Sequence, residues 1–192
     1  MLIEGLSAEL TRNLIPLHHT FRDIVMNFMI AGRDTTACAL SWTLFELAKH
    51  PDVVEEILAE IEKIHGDINE GGDSISYDNL QKMTYTKAVA TEVLRLHPSV
   101  PVDMKFAKNS DTLPDGTYIP KGCAVLYSPF AMGRNESIWG DDAEEFKPER
   151  HLAEDKCKFM DPSQYKFTSF NAGQRLCLGK DLALLEIKLA LR

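Results

Sequence analysis

The sequence predicts a mainly α fold with a minor β-sheet, in one piece. Three observations carry this reading. Apolar residues recur at helical spacing from near His19 to about His50, and again over 53–64 and 84–96. The grain changes over 100–126, where Pro101, Pro114, Gly116, Pro120 and Gly122 punctuate short β-type stretches. A last helical pattern starts at Lys180 and continues to Arg192. At 192 residues the chain can bury a sizeable core, and one domain is the default.

Taken in order, the first helix carries Phe21, Ile24, Val25, Phe28 and Met29, then Leu40, Thr43, Leu44 and Leu47. Its middle, Ala31-Gly32-Arg33-Asp34-Thr35-Thr36, interrupts the pattern, and a glycine beside two β-branched residues predicts a weakened turn there. His50-Pro51-Asp52 stops this helix and starts the next, with proline in a first-turn position. Residues 53–64 read as an acidic amphipathic helix, 66–76 as a polar loop and 77–83 as a short helix. The helix over 84–96 is closed by His97-Pro98, because a residue before proline avoids the α conformation. Thr117-Tyr-Ile and Ala124-Val-Leu-Tyr are strand candidates, and 129–170 reads as loop-rich.

A net charge of −8 argues against nonspecific nucleic-acid binding. Cys38, Cys123, Cys157 and Cys177 include no CxxC pair, so a zinc site is not expected. Their scatter predicts reduced thiols in a cytosol-facing setting. The chain shows no signal peptide and no apolar run long enough to span a bilayer.

The most informative stretch is Phe170-Asn-Ala-Gly173-Gln-Arg175-Leu-Cys177-Leu-Gly179, followed at once by the last helix. Arg175 and a helix N-terminus favour an anionic sulfur at Cys177. Gly173 permits a turn that other residues resist, and Gly179 lets something flat lie against the chain. A buried structural cysteine fits two glycines and a cation poorly, so a soft metal or covalent chemistry at Cys177 is expected. Glu92 and Arg95 sit three residues apart on an apolar helix, where a surface ion pair is the ordinary reading. Arg150 in Lys147-Pro148-Glu149-Arg150 supplies a second guanidinium, and one carboxylate can accept from both. Asp34 and Thr35 beside Gly32 place a carboxylate and a hydroxyl where protons could reach a small ligand; the ordinary reading is a hydrogen bond from Thr35 to the preceding turn.

Together, Ala31-Gly32-x-Asp34-Thr35-Thr36, Glu92-x-x-Arg95, Pro148-Glu149-Arg150 and Phe170-x-x-Gly173-x-Arg175-x-Cys177-x-Gly179 resemble the cytochrome P450 haem-thiolate monooxygenases across essentially the whole chain. The resemblance implies the C-terminal portion of that fold and haem b, iron protoporphyrin IX, as cofactor. Cys177 would be the axial ligand of the haem iron, with Arg175 on a haem propionate and Phe170 packed beside the sulfur. Ala31 and Gly32 would form a groove over the iron, and Asp34 and Thr35 would manage protons. Glu92, Arg95 and Arg150 would steady the cysteine loop. Electrons would come from NADPH through a flavoprotein reductase, which Lys166, Arg175 and Lys180 would attract.

Three departures accompany the resemblance. His151 follows Pro148-Glu149-Arg150 where an aromatic is usual. Lys105 stands where many members carry an arginine for a propionate, with weaker geometry for that work. The family's chain is more than twice this long, which implies that residues 1–192 form the C-terminal half of one catalytic domain. Membrane association, at a cytosol-facing endoplasmic reticulum surface, would then depend on a preceding anchor. Ala31-Gly-Arg-Asp-Thr-Thr, Leu96-His-Pro-Ser-Val-Pro101, Leu113-Pro-Asp-Gly-Thr117 and Ile138-Trp-Gly140 resemble the branch that hydroxylates fatty acids and alkanes at the ω end. In that branch Val100, Pro101 and Val102 would lie along the channel of a lipophilic substrate. Two other readings stand beside monooxygenation: an isomerase or peroxide-using relative, and a truncated, non-catalytic fragment that holds no haem.

Overall fold

A computed structural model describes the backbone of residues 2–66 and 76–192, and the side chains of 19–64 and 76–192. The order is α1 (Leu2–Lys49), α2 (Pro51–Gly66), α3 (Tyr77–Lys82), α4 (Thr84–Leu96), β1 (Asp103–Phe106), β2 (Asp111–Thr112), β3 (Tyr118–Ile119), β4 (Ala124–Tyr127), α5 (Pro129–Gly133), α6 (Glu136–Trp139) and α7 (Lys180–Ala190). Short 3₁₀ turns cover Pro148–His151 and Gly173–Arg175. The mainly helical fold with a small β component agrees with the sequence reading. Most of the loop expected over 66–76 lies outside the described residues.

Two expectations about the first helix are overturned: α1 starts at Leu2 rather than near His19, and its middle is not weakened. Helix α1 runs unbroken through 31–36. Gly32 costs only about 1 kcal/mol relative to alanine in a helix interior, and the turns on either side outweigh it. Thr35 Oγ1 donates to the Ala31 carbonyl at 2.7 Å within the helix. The loop-rich reading of 129–170 also missed α5 and α6, two short helices capped by Ser128 and Asn135.

Helix α4 is the centre of the molecule. Ala88, Val89, Ala90 and Val93 are fully buried, and every residue from Tyr85 to Leu96 except Lys87 is buried. One cluster joins Ala39 of α1, Ala90 and Leu94 of α4, Trp139, Ala143, Phe167, and Leu184 and Ile187 of α7. A second joins Val53 and Ile57 of α2 to Tyr85 and Val89. Full burial of each such aliphatic chain stabilises the fold by about 1.5–3 kcal/mol.

On α1 the described side chains first become buried at Thr36. Phe21, Ile24, Val25, Phe28 and Met29, which the periodicity marks as an apolar stripe, are exposed, and so is Ile30. Strands β1 and β4 pair antiparallel with Asp103 opposite Tyr127 and Phe106 opposite Ala124, and β2 and β3 form a second short ladder inside that hairpin. Among the described residues no helix is long and apolar enough to cross a membrane.

Gly133 at the end of α5 meets α4 closely. A Cβ there would lie 2.0 Å from the Arg95 carbonyl oxygen, so only glycine allows this approach.

Candidate functional site

Cys177 follows the Gly173–Arg175 turn and precedes α7, which is packed on α1 and α4. Its thiol is free and exposed. Its amide donates to the Phe170 carbonyl at 2.8 Å, which closes the loop on itself. Gly173 has φ of +61°, the left-handed region in which a β-carbon is strained. Its amide donates to Gln164 Oε1 at 3.0 Å. A Cβ at Gly179 would stand 3.9 Å from Cys177 Sγ, in space that a flat group lying against the sulfur would use. Phe170 packs on Phe167 with ring centroids 6.2 Å apart and borders the central cluster. Arg175 is exposed, and no ion pair engages it among the described residues.

Behind the loop, Ser169 Oγ donates to the Leu94 carbonyl of α4 at 2.7 Å. Two residues before Leu94 lies Glu92, whose carboxylate is fully buried and accepts five hydrogen bonds. Arg95 donates from Nε and Nη2, each at 2.7 Å, as a bidentate fork. Arg150 Nε adds a bond at 3.1 Å, the Lys147 amide one at 3.0 Å and His151 Nε2 one at 2.8 Å. Burial by itself would raise the Glu92 carboxyl, but the bonds from Arg95 and His151 outweigh it and hold the group at about 2. Arg95 also donates to the carbonyls of Gly133, Ala143 and Glu145. Arg150 reaches Asp142 Oδ1 at 2.8 Å, so the two arginines face two carboxylates.

Lys105 of β1 is engaged within its own strand, with Nζ 2.7 Å from Asp103 Oδ2. The same oxygen accepts from the Tyr127 hydroxyl at 2.8 Å and Asn171 Nδ2 at 3.1 Å. Lys105 first, then Tyr127, the Met104 amide and Asn171, hold the Asp103 carboxyl well below the usual carboxylate range. Partial burial and the adjacent Asp103 push the Tyr127 phenol up to about 12. The hairpin is thereby bonded to the cysteine loop at Asn171, which itself has φ of +65°.

On α1, Ala31 and Gly32 are exposed, and nothing lies within 4 Å of the place a Gly32 Cβ would take. Asp34 is exposed, and the Arg33 guanidinium bonded to it at 2.7 Å holds its carboxyl below the ordinary value. Val100 and Val102 are exposed, while the Pro101 carbonyl accepts from Ser128 Oγ at 2.9 Å and the Phe130 amide at 3.3 Å.

Glu92, Arg95 and Arg150 thus meet directly. Cys177, Arg175, Phe170, Gly173 and Gly179 share one loop. Lys105 joins that loop through Asp103 rather than directly. Four participants escape the sequence reading: His151, Asp103, Asn171 and Ser99, whose hydroxyl donates to the Thr35 carbonyl at 2.8 Å. The signal available for His151 was a polar ring where an aromatic is usual; for Asn171 it was a residue tolerant of left-handed backbone beside Ala-Gly. A separate cleft of about 610 Å³, lined by Glu46, His50, His97, Arg134 and Phe146 among others, takes no residue from the cysteine loop.

The sequence profile of the Cytochrome P450 family matches residues 16–192. The chain is 47% identical over 175 residues to Cytochrome P450 86B1 of Arabidopsis thaliana, an alignment covering 87% of this chain and 31% of that protein. It is 46% identical over 179 residues to Cytochrome P450 704C1 of Pinus taeda, covering 88% of this chain and 34% of that one. With Cytochrome P450 94A1 of Vicia sativa it shares 44% identity over 170 residues, covering 86% and 32%. The chain spans about a third of the length of these curated relatives. A loop that presents one thiol between glycines, a buried Glu–Arg–Arg cluster on the neighbouring α4, and a profile matched over nearly its full length place this chain in the cytochrome P450 family.

Proposed function

We infer that this chain supplies the iron-ligating and proton-handling part of a haem-thiolate monooxygenase that hydroxylates a lipophilic substrate, with a fatty acid attacked at its ω end as the substrate class. The observation that carries the reading is the cysteine loop: an exposed thiol, closed by the Cys177 amide on the Phe170 carbonyl, with Ser169 bonding the Leu94 carbonyl of α4.

The residues suit the group. Cys177 offers a soft ligand, Gly179 leaves space beside the sulfur, and Arg175 is a cation open to a carboxylate. Lys105 would serve a second propionate. When bound, thiolate-ligated haem iron supplies the activation of dioxygen. Phe170 would pack beside the sulfur, and Gly173 would provide the turn that aims it. Ala31 and Gly32 leave α1 low where a small ligand would lie. The Thr35 hydroxyl donates to Ala31 and keeps its oxygen open to accept a proton-bearing partner, while Asp34 remains anionic beside Arg33. Val100, Pro101 and Val102 would line the substrate channel. Similarity to the 86, 94 and 704 proteins supports the fatty-acid assignment through the ω-hydroxylase resemblance. NADPH would deliver electrons through a flavoprotein reductase docking near Lys166, Arg175 and Lys180, at a membrane surface.

The test is the spectrum of the reduced, CO-bound full-length protein that carries this segment. A thiolate-type red-shifted Soret band is expected, and Cys177→Ala should abolish it. An unshifted band, or normal haem uptake by Cys177→Ala, would overturn the assignment. Thr35→Ala should uncouple NADPH consumption from product; full coupling would remove Thr35 from proton delivery. One observation favours a second reading for the 192 residues in isolation: the apolar stripe of α1 from Phe21 to Ile30 lies open, as in a fragment that holds no haem by itself.

A further inference from the structure

We propose that Ser99 is a positioning residue that sets where along its chain the substrate is attacked, by tying the channel segment 97–102 to α1 at Thr35. The proposal rests on the monooxygenase reading and adds a determinant of regioselectivity to it.

The segment is short and stiff. Pro98 and Pro101 each fix one backbone torsion and remove an amide donor. It is pinned at three places. The His97 ring stacks on Trp42 of α1 with centroids 4.1 Å apart, and its Nε2 bonds Glu46 Oε1 at 2.8 Å. The Pro101 carbonyl is held from α5 by Ser128 and Phe130. Between these, Ser99 Oγ donates to the Thr35 carbonyl at 2.8 Å, across a sequence separation of 64 residues.

Of the three anchors only this one reaches the turn of α1 that carries Asp34 and Thr35. A helix-interior carbonyl has two lone pairs, and the helix uses one; Ser99 takes the other without disturbing α1. The neighbouring residue, Val100, is exposed, as is Val102. A substrate lying along these valines therefore meets the Thr35 turn at a separation that the Ser99 hydroxyl trims within the limits set by the other two anchors. The remaining anchors keep the segment folded when that hydroxyl is removed, so the expected effect is a small displacement rather than unfolding. A displacement of about 1 Å changes reaction rates at a given position by up to about a hundredfold, which is enough to redistribute attack between adjacent carbons.

The experiment compares wild type, Ser99→Ala and Ser99→Thr in the full-length protein, with dodecanoic acid as the probe. Three quantities are read: the ratio of terminal to penultimate hydroxylation, the reduced CO spectrum, and amide hydrogen exchange across 99–102. Ser99→Ala should change the product ratio by at least about threefold and raise exchange about tenfold under an unaltered CO band, and Ser99→Thr should restore both. An unchanged ratio or unchanged exchange in Ser99→Ala, with the wild-type band intact, overturns this proposal alone. A wild-type protein without the thiolate-type band overturns the monooxygenase reading and this proposal with it.

Discussion

Glu92 contributes to the acid sensitivity of the fold from its centre. Its carboxyl is held at about 2 in the native state against an ordinary 4.5. The unfolded chain therefore binds this proton more tightly, and acid favours unfolding. The contribution is fully present above about pH 4.5 and is lost as pH falls through about 2. Glu92→Gln should flatten the acid dependence in that window and cost about 3–5 kcal/mol at neutral pH, because Arg95 and Arg150 lose their buried counterion. Denaturant midpoints of the full-length protein against pH would measure both effects. His151 offers a finer separation. Its ring lies among Trp139, Phe159 and Phe167, while Nε2 bonds Glu92. His151→Phe should retain the packing, lose one donor of five, cost about 1 kcal/mol and raise the Glu92 carboxyl. His151→Ala should cost about 3 kcal/mol, since the ring's volume goes as well. An equal cost for the two, in the same denaturant titration, would show that Nε2 contributes and the ring does not. The Glu92–Arg95 pair was legible in the sequence because helical spacing alone brings positions three apart together. The His151 bond was not, because it joins residues 59 apart through tertiary packing.

At the scale of elements, the bounds of α4 were readable to the residue, since His97-Pro98 stops it, but its complete burial was not, because Thr86, Thr91, Glu92 and Arg95 interrupt its apolar residues. Helix α1 was readable as a helix but not in its environment. Periodicity reports which side of a helix is apolar; it does not report what covers that side. Nor does a glycine beside β-branched residues break a helix whose neighbouring turns are sound, as the unbroken 31–36 stretch demonstrates. The packing of α5 on α4 was invisible beforehand, because Gly133 reads like any loop glycine until its distance from the Arg95 carbonyl is known. That contact involves backbone on both sides, so neither partner can swing away. Gly133→Ala should cost about 3 kcal/mol through forced separation of the two helices. The loss should appear as a lower denaturant midpoint, with Arg95 less well held by the Gly133 and Ala143 carbonyls; a midpoint equal to wild type would refute the close approach.

For the whole molecule, the dominant physical fact is an asymmetry between a dry centre around α4 and the open apolar stripe of α1. Exposed apolar area on that scale marks a surface made to be covered. The isolated 192-residue chain should therefore bind an apolar dye strongly and melt without a sharp transition. A cooperative melt with little dye binding would contradict this. The family was legible from four short motifs, whereas the ties from two of them to the segment 99–103, Thr35 to Ser99 and Asn171 to Asp103, depend on which loops the fold brings together. The Glu92 core also bears on how the chain is made. Glu92 and Arg95 leave the ribosome well ahead of Arg150 and His151, which lie 58 and 59 residues downstream of Glu92. At about 5–20 residues per second, several seconds pass between the two arrivals. During that interval the Glu92–Arg95 pair has neither the counterparts nor the carbonyls that make its burial tolerable, and it must stay in water. The nascent α4 thus waits, hydrated, for the segment from Gly133 to His151, and translation speed over that stretch governs when the protein's centre can first become dry.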